Sequence, residues 1–270
     1  MRSSRAWVAR DMTPAPDGAP DLSLVMPCYN EAENVPHTVP RLVKVFAQAG
    51  CRFEVVTVDN GSRDATWEKL AALADQFPGI VRPVRVETNI GFGNGVLAGI
   101  RSATGTWIGT VAADGQVDAE DVYRLYEACA DTDGRVLGKV RRRYRMDGVT
   151  RKFISVGYNL FVHLLWPSLD SWDVNGQPRM IRRDVVSAMD LQSTNWLLDP
   201  EMLIKAHYMG VRVLEVNVFA RMRGNGISHV RMATCWEFFR YLMAFRFSSR
   251  LKAWRQRIVQ LQPGRALPAL

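Results

Sequence analysis

Residues 22–64, LSLVMPCYNEAENVPHTVPRLVKVFAQAGCRFEVVTVDNGSRD, decide the fold. Two short apolar runs, Leu22–Met26 and Phe53–Val58, end abruptly at Pro27 and Asp59. Neither alternates apolar with polar, so each reads as a strand buried on both faces, the habit of parallel sheets. Between them Val35–Gln48 carries apolar residues at helical spacing. Beyond the second run Asp64 is placed to N-cap a further helix reaching Gln76. The rhythm continues outward with a run at Val81–Val86, then a glycine-rich turn with a helix to Ala103. A run at Trp107–Ala112 and a helix from about Ala119 follow. Strand–helix alternation predicts an α/β domain with a mostly parallel central sheet flanked by helices.

After Gly134 the alternation fades. A basic segment from Arg135 to Lys152 leads into an apolar-rich helix, Val149–Trp166, which reads as interfacial. Asn175-Gly176-Gln177-Pro178 turns the segment Trp172–Arg182 into a strand. Pro200–Met209 reads as a helix ended by Gly210, and Val211–Phe219 as a further strand. From Ala233 to about Val259 aromatic residues mix with arginines, which predicts a basic amphipathic helix. The chain therefore divides into a disordered leader (1–20), one domain (21–230) and a helical extension (231–270). With 47% apolar and 23% charged residues it folds by burial. No stretch reaches the ~20 apolar residues needed to cross a bilayer. The net charge of +8 asks for an anionic partner. Four scattered cysteines exclude zinc and redox motifs and suit a reducing, cytoplasmic setting.

In an open parallel sheet ligands bind beyond the carboxyl ends of the strands. Here those ends are polar: Pro27-Cys28-Tyr29-Asn30-Glu31, then Asp59-Asn60-Gly61-Ser62-Arg63-Asp64, then Ala113-Asp114-Gly115-Gln116. A nucleotide sugar needs partners for base and ribose and positive charge for its diphosphate. Asp59 can accept from a base N–H or a ribose hydroxyl, with Glu31 at the adjacent strand end. Asp114 and Gln116 offer oxygens to a hard divalent ion, Mg2+ or Mn2+. Gly91-Phe92-Gly93-Asn94-Gly95 lacks the glycine spacing of a dinucleotide fingerprint and reads as a tightly packed turn. No nucleic-acid-reading module accompanies the basic charge.

The segments VMPCYNEAEN (25–34), VTVDNGSRD (56–64), Asn89–Gly105, ADGQ (113–116), NGQPRMIRRD (175–184), Asp199–Ala206 and Glu215–Ser228 run in a fixed order. Together they resemble glycosyltransferase family 2, in its dolichol-phosphate mannosyltransferase-like branch. The resemblance implies a single GT-A-type nucleotide-sugar-binding domain. It also implies inverting transfer from a GDP- or UDP-sugar to a polyprenyl phosphate at a membrane surface. Pro27, Tyr29 and Glu31 would line the nucleotide site. Val58, Asp59 and Asn60 would meet base and ribose, and Ala113 and Asp114 would complete it. Asp114 and Gln116 would hold the metal, and Arg141 and Arg223 the donor and acceptor phosphates.

Three residues depart from the pattern. Ala112 stands where an Asp-x-Asp motif has its first acid, Asn60 where a second Asp is common, and His229 where a lysine is usual. A phosphate acceptor is already anionic and needs no general base; a hydroxyl acceptor would, and Glu201 is the candidate, although it reads first as an orienting or structural acid. The alternatives are therefore transfer to a hydroxyl, or a nucleotide-sugar-binding protein with impaired transfer. A membrane-protein partner or a homo-oligomer is compatible with the basic extension.

Overall fold

The computed structural model describes residues 18–145, 149–171, 173–220 and 232–261. In chain order the elements are β1 (Leu22–Cys28), α1 (Val35–Gln48), β2 (Phe53–Asn60), α2 (Thr66–Gln76), β3 (Val81–Val86), α3 (Phe92–Ser102), β4 (Trp107–Thr110) and α4 (Ala119–Ala130). They continue with β5 (Val136–Arg145), α5 (Val149–Leu165), β6 (Arg179–Arg182), α6 (Arg183–Met189), α7 (Leu198–Met209), β7 (Arg212–Ala220), α8 (Met232–Arg246) and α9 (Ser249–Leu261).

The strands form one sheet ordered β3-β2-β1-β4-β6-β5-β7. The first four pair in parallel, as do β5 and β7, while both pairings of β6 are antiparallel. Since β4 and β5 each run opposite to β6, they run parallel to one another. The carboxyl ends of β1, β2, β4 and β5 therefore share one edge, and every loop that carries a candidate residue on those strands opens there.

Side-chain alternation along each strand sorts the core into two layers. Leu22, Leu24, Met26 and Cys28 face α1 and α4, with Val35, Phe46 and Leu125 in the same cluster. Val25, Val56 and Val58 face the other layer, which includes Ala98 of α3, Leu203 of α7, Leu242 of α8 and Trp254 of α9. The helical extension thus belongs to the core of the sheet domain.

The structure adds elements that the apolar pattern concealed. β5 occupies the basic segment where alternation fades; Leu137 and Val140 are buried, and so is Lys139, whose charge hides the strand. The expected single C-terminal helix is two, α8 and α9, divided at Phe247 and Ser248. Ser248 explains the break, because its hydroxyl accepts the Leu251 N–H at 3.1 Å and caps α9. Asp64 does not cap α2. The helix starts at Thr66, and Asp64 Oδ1 instead accepts the Thr66 N–H at 3.1 Å and hydroxyl at 2.5 Å, closing a local turn. β4 stops at Thr110, short of Ala112. Arg223, His229 and residues 1–17 of the expected leader lie outside the described residues. Among the described residues no helix is long and apolar enough to cross a membrane.

Candidate active site

The first two strand-end loops are fastened by short polar side chains. Asn30, in the left-handed region at φ 55, accepts the Arg63 N–H through Oδ1 at 2.8 Å, and its own N–H donates to Ser62 Oγ at 3.0 Å. An asparagine tolerates that backbone where most residues do not. Beside it the Glu31 N–H donates to Thr66 Oγ1 at 2.8 Å and the Ala32 N–H to Asp64 Oδ2 at 3.2 Å. Asp59 Oδ1 accepts the Ser62 N–H at 3.0 Å. These bonds hold Pro27, half-exposed Tyr29 and Glu31 against Val58 and Asp59, and strand register sets Pro27 opposite Val58 and Cys28 opposite Asp59.

The carboxylates converge. Burial pushes the Cys28 thiol well above the ordinary thiol range, and the charges of Glu31, Asp59 and Asp64 push it further. Asp59 is itself buried, with Arg85 Nε 4.0 Å from its carboxylate. The Arg85 guanidinium lies 5.0 Å from the centre of the Trp67 ring.

Asn60 turns away from this group. Its Nδ2 donates to the Gly91 carbonyl at 3.0 Å and lies 3.4 Å from Asn89 Oδ1. Asn89 Oδ1 also accepts the Gly91 N–H at 2.9 Å. A carboxylate in place of this amide would face the Gly91 carbonyl with no proton to offer, which is the local reason for asparagine here.

The third loop leaves β4 with Val111 N–H bonded to the Val25 carbonyl, and Thr38 Oγ1 donates to the Ala113 carbonyl at 2.9 Å. Asp114 follows, almost buried, and its Oδ1 accepts the Gln116 N–H at 3.2 Å across Gly115, which has φ 65. Among the described residues no three His, Cys, Asp or Glu side chains cluster as a ready-made metal site. One carboxylate and one amide still fit a magnesium-type ion, which draws its remaining ligands from substrate phosphates and water.

Arg141 projects from β5 at the same edge, exposed, and in register with Asn217 of β7. Two residues earlier Lys139 is buried; its Nζ donates to Ser171 Oγ at 2.8 Å and to the Asp173 carbonyl and lies 3.6 Å from Glu215. Arg179, at the start of β6, donates through Nε to the Gly176 carbonyl at 3.1 Å and through Nη1 to the Asp199 carbonyl at 2.7 Å. Its Nη1 is also 3.3 Å from Asp199 Oδ1. Gln177 Nε2 donates to both Asp199 carboxylate oxygens, at 3.3 and 3.2 Å. Ser171 and the segment 173–179 are therefore held down by two buried cations.

Glu201, the candidate base for a hydroxyl acceptor, is held by partners of its own. Fully buried, its carboxylate accepts Lys205 Nζ at 2.6 Å, the Ser193 N–H at 2.8 Å and the Gln192 N–H at 3.3 Å. It anchors the loop that carries Gln192 and Ser193. Lys139, Arg179, Asp199 and Lys205 escaped the sequence reading. Their one signal was charge set within an otherwise apolar element, as in the i, i+4 pair of Glu201 and Lys205.

A family model described as "Glycosyl transferase family 2" matches residues 23–202. The dolichol-phosphate mannosyltransferase of Pyrococcus furiosus is 29% identical over 228 residues, covering 82% of this chain and 62% of that protein. An undecaprenyl-phosphate 4-deoxy-4-formamido-L-arabinose transferase of Pectobacterium carotovorum is 32% identical over 173 residues, covering 64% of this chain and 52% of the relative. The chain thus spans only half to under two-thirds of the length of these relatives. Among solved structures, glucosyl-3-phosphoglycerate synthase of Mycobacterium tuberculosis, in complex with Mn2+, UDP and phosphoglyceric acid, superposes with a TM-score of 0.67. It shares 18% identity over 89% of this chain and 80% of that one, a likeness of fold.

Proposed function

This chain belongs to glycosyltransferase family 2, and we propose that it transfers a sugar, with inversion, from a GDP- or UDP-sugar to a polyprenyl phosphate at a membrane surface. The observation that carries this reading is the shared sheet edge. The acidic loops of β1, β2 and β4 and the cationic end of β5 open on the same side, so a diphosphate held near Asp114 lies toward Arg141. The names of the two relatives supply the acceptor class.

Pro27, Tyr29, Glu31, Val58 and Asp59 would receive base and ribose in the pre-fastened cradle. Asn60 would act on that cradle from behind, through the Gly91 turn. A divalent ion, Mg2+ or Mn2+, would be held by Asp114 and Gln116 beside Ala113, and when bound it neutralises charge on the leaving diphosphate. Arg141, joined by Arg223, would hold phosphate oxygens of donor and acceptor and place the acceptor in line with the sugar carbon. A phosphate monoester is its own nucleophile, which agrees with Glu201 being engaged with Lys205 and the backbone. Residues 21–230 would carry the chemistry and 231–270 the seat on the membrane.

Membrane docking, for which we propose the cytoplasmic face, draws support from an exposed apolar stripe on α5, Val156, Leu160 and Leu164, at successive turns of the helix. Trp236 and Phe239 of α8 extend it, with Phe239 stacked on Phe161 of α5 at 4.2 Å. Exposed Arg240 and Arg250 and half-buried Arg246 supply charge for anionic headgroups.

The test is transfer by the purified chain, with a panel of nucleotide sugars, Mg2+ or Mn2+, and polyprenyl phosphate in detergent. Label in the lipid fraction over multiple turnovers is expected. Label passing only to soluble hydroxyl acceptors would overturn the acceptor assignment, and donor binding without turnover would overturn the enzymatic one.

A further inference from the structure

The loop from Asp190 to Leu197 ties the C-terminal helices to the nucleotide side of the site, and its contacts fall into three groups. At its root Asp190 takes the left-handed conformation, φ 51, with its carboxylate bound by Arg257 of α9 at 2.7 Å. The Asp190 carbonyl accepts Lys205 Nζ at 2.8 Å, and the same ammonium lies 5.1 Å from the Trp254 ring of α9. In its middle the Gln192 and Ser193 N–H groups converge on the buried Glu201 carboxylate. At its tip the Thr194 carbonyl accepts the Asn94 N–H at 2.8 Å, and Trp196 stacks on Phe92 with ring centres 4.8 Å apart and planes 7° from parallel.

The tip has been given room. A Cβ at Gly91 would lie 2.5 Å from the Thr194 carbonyl oxygen, and one at Gly93 would lie 2.3 Å from that of Ser193. Both are backbone atoms that cannot step aside. Gly91 is in turn the residue whose carbonyl Asn60 holds, so the contacts run without a gap from α9 through Glu201 and the loop to the end of β2.

We propose that Glu201 is a positioning residue, which through the 190–196 loop holds the start of α3 and with it the nucleotide-binding end of β2 at Asn60. The loop is a strap with one end fixed by the C-terminal helices and the other pressing on the donor side. Releasing it loosens donor binding and leaves the chemical step intact. This rests on the donor assignment made above.

Three measurements test it. In Glu201→Gln the donor KM rises about tenfold while kcat stays within about threefold and the pH profile keeps its shape; a general base would lose kcat by about 10²–10⁴ and one limb of the profile. At the other end Trp196→Ala gives the same split, and Trp196→Phe, which keeps the stack, restores the donor KM. The Trp196 pair stands even where Glu201→Gln fails to fold. Hydrogen exchange at the Asn94 amide, shared between the Thr194 carbonyl of the strap at 2.8 Å and the Gly91 carbonyl at 3.2 Å, accelerates in Glu201→Gln and in Trp196→Ala. A fall in kcat at unchanged donor KM, or an Asn94 amide equally protected in the variants, overturns the strap. Because exchange needs no turnover, absence of nucleotide-sugar binding would sink the donor assignment and still leave the strap decided.

Discussion

The two halves of the sheet edge are held by different physics. On the side proposed for the nucleotide, short polar side chains bind backbone N–H groups of neighbouring loops: Asn30 and Ser62, Thr66, Asp64 and Asp59. On the opposite side long cations are buried against carboxylates: Lys139 with Glu215 and Arg179 with Asp199 from other segments, and Lys205 with Glu201 one turn away on α7. Fastening through backbone N–H groups carries less desolvation cost than burying an ion pair and keeps Glu31, Asp59 and Asp114 at one sheet edge. Ionic fastening places charge in low dielectric, where each member is tolerable only while its partner remains. One half is the one proposed to receive a ligand, and the other holds segments 173–179 and 190–196 in place.

The largest expected effect tests the receiving half. Asp114→Ala lowers kcat by about 10²–10³, the usual cost of removing one group that stabilises a leaving charge, with the fold unchanged by circular dichroism; a variant with wild-type turnover would remove Asp114 from the site. Next comes the holding half. Lys205→Met strands Glu201 as a buried carboxylate and costs about 3 kcal/mol in urea denaturation, near the low end for a broken buried pair because two N–H groups still serve it. A loss below about 1 kcal/mol would show that the halves do not differ in the way described.

Asn60→Asp probes the boundary between them. It sets a carboxylate against the Gly91 carbonyl and costs about 1–2 kcal/mol, read as weaker donor binding by calorimetry and a lower denaturation midpoint. The smallest effect is one of pH, at the far edge of the nucleotide half. Burial alone would raise the Glu54 carboxyl, but bonds from Ser23, from the Thr104 N–H and hydroxyl and from Arg82 outweigh it and hold the group below the usual range. A depressed acid stabilises the fold above its unfolded pKa of about 4.3, and that contribution is lost as pH falls through the folded value. Denaturation midpoints across that window should drop for the wild type and more shallowly for Glu54→Gln.

This contrast also explains what could be read in advance. β1, α1, β2 and β3 were legible almost to the residue, because continuous apolar runs and helical spacing are undisturbed there and the ligand-side residues follow each run directly. Asp59 and Asp114 were therefore found at strand ends where sequence placed them. β5 was missed because Lys139, a buried charge, interrupts its apolar signal, and the roles of Arg179 and Lys205 depend on partners 20 residues away or on another helix. Glu201 was visible as an acid, but its engagement with Gln192 and Ser193 is a property of a loop path that no spacing rule encodes. Asn60 was recognised as a departure, and only the Gly91 carbonyl explains it.

The burial of Trp254 and Ile258 in the same core layer as Val25 bears on how the protein reaches its native state. α9 reaches that layer through bonds to Ala188 and Asp190, 66 and 67 positions earlier, and the loop entropy of bringing distant segments together precedes any reward. The β1–α4 stretch pairs its parallel strands within itself and can condense before α9 arrives. The second layer stays open to solvent until α9 docks and seals it. Pulse-labelled hydrogen exchange during refolding should then protect the amides of β1, β2 and β4 before those of α7, and simultaneous protection would contradict that order.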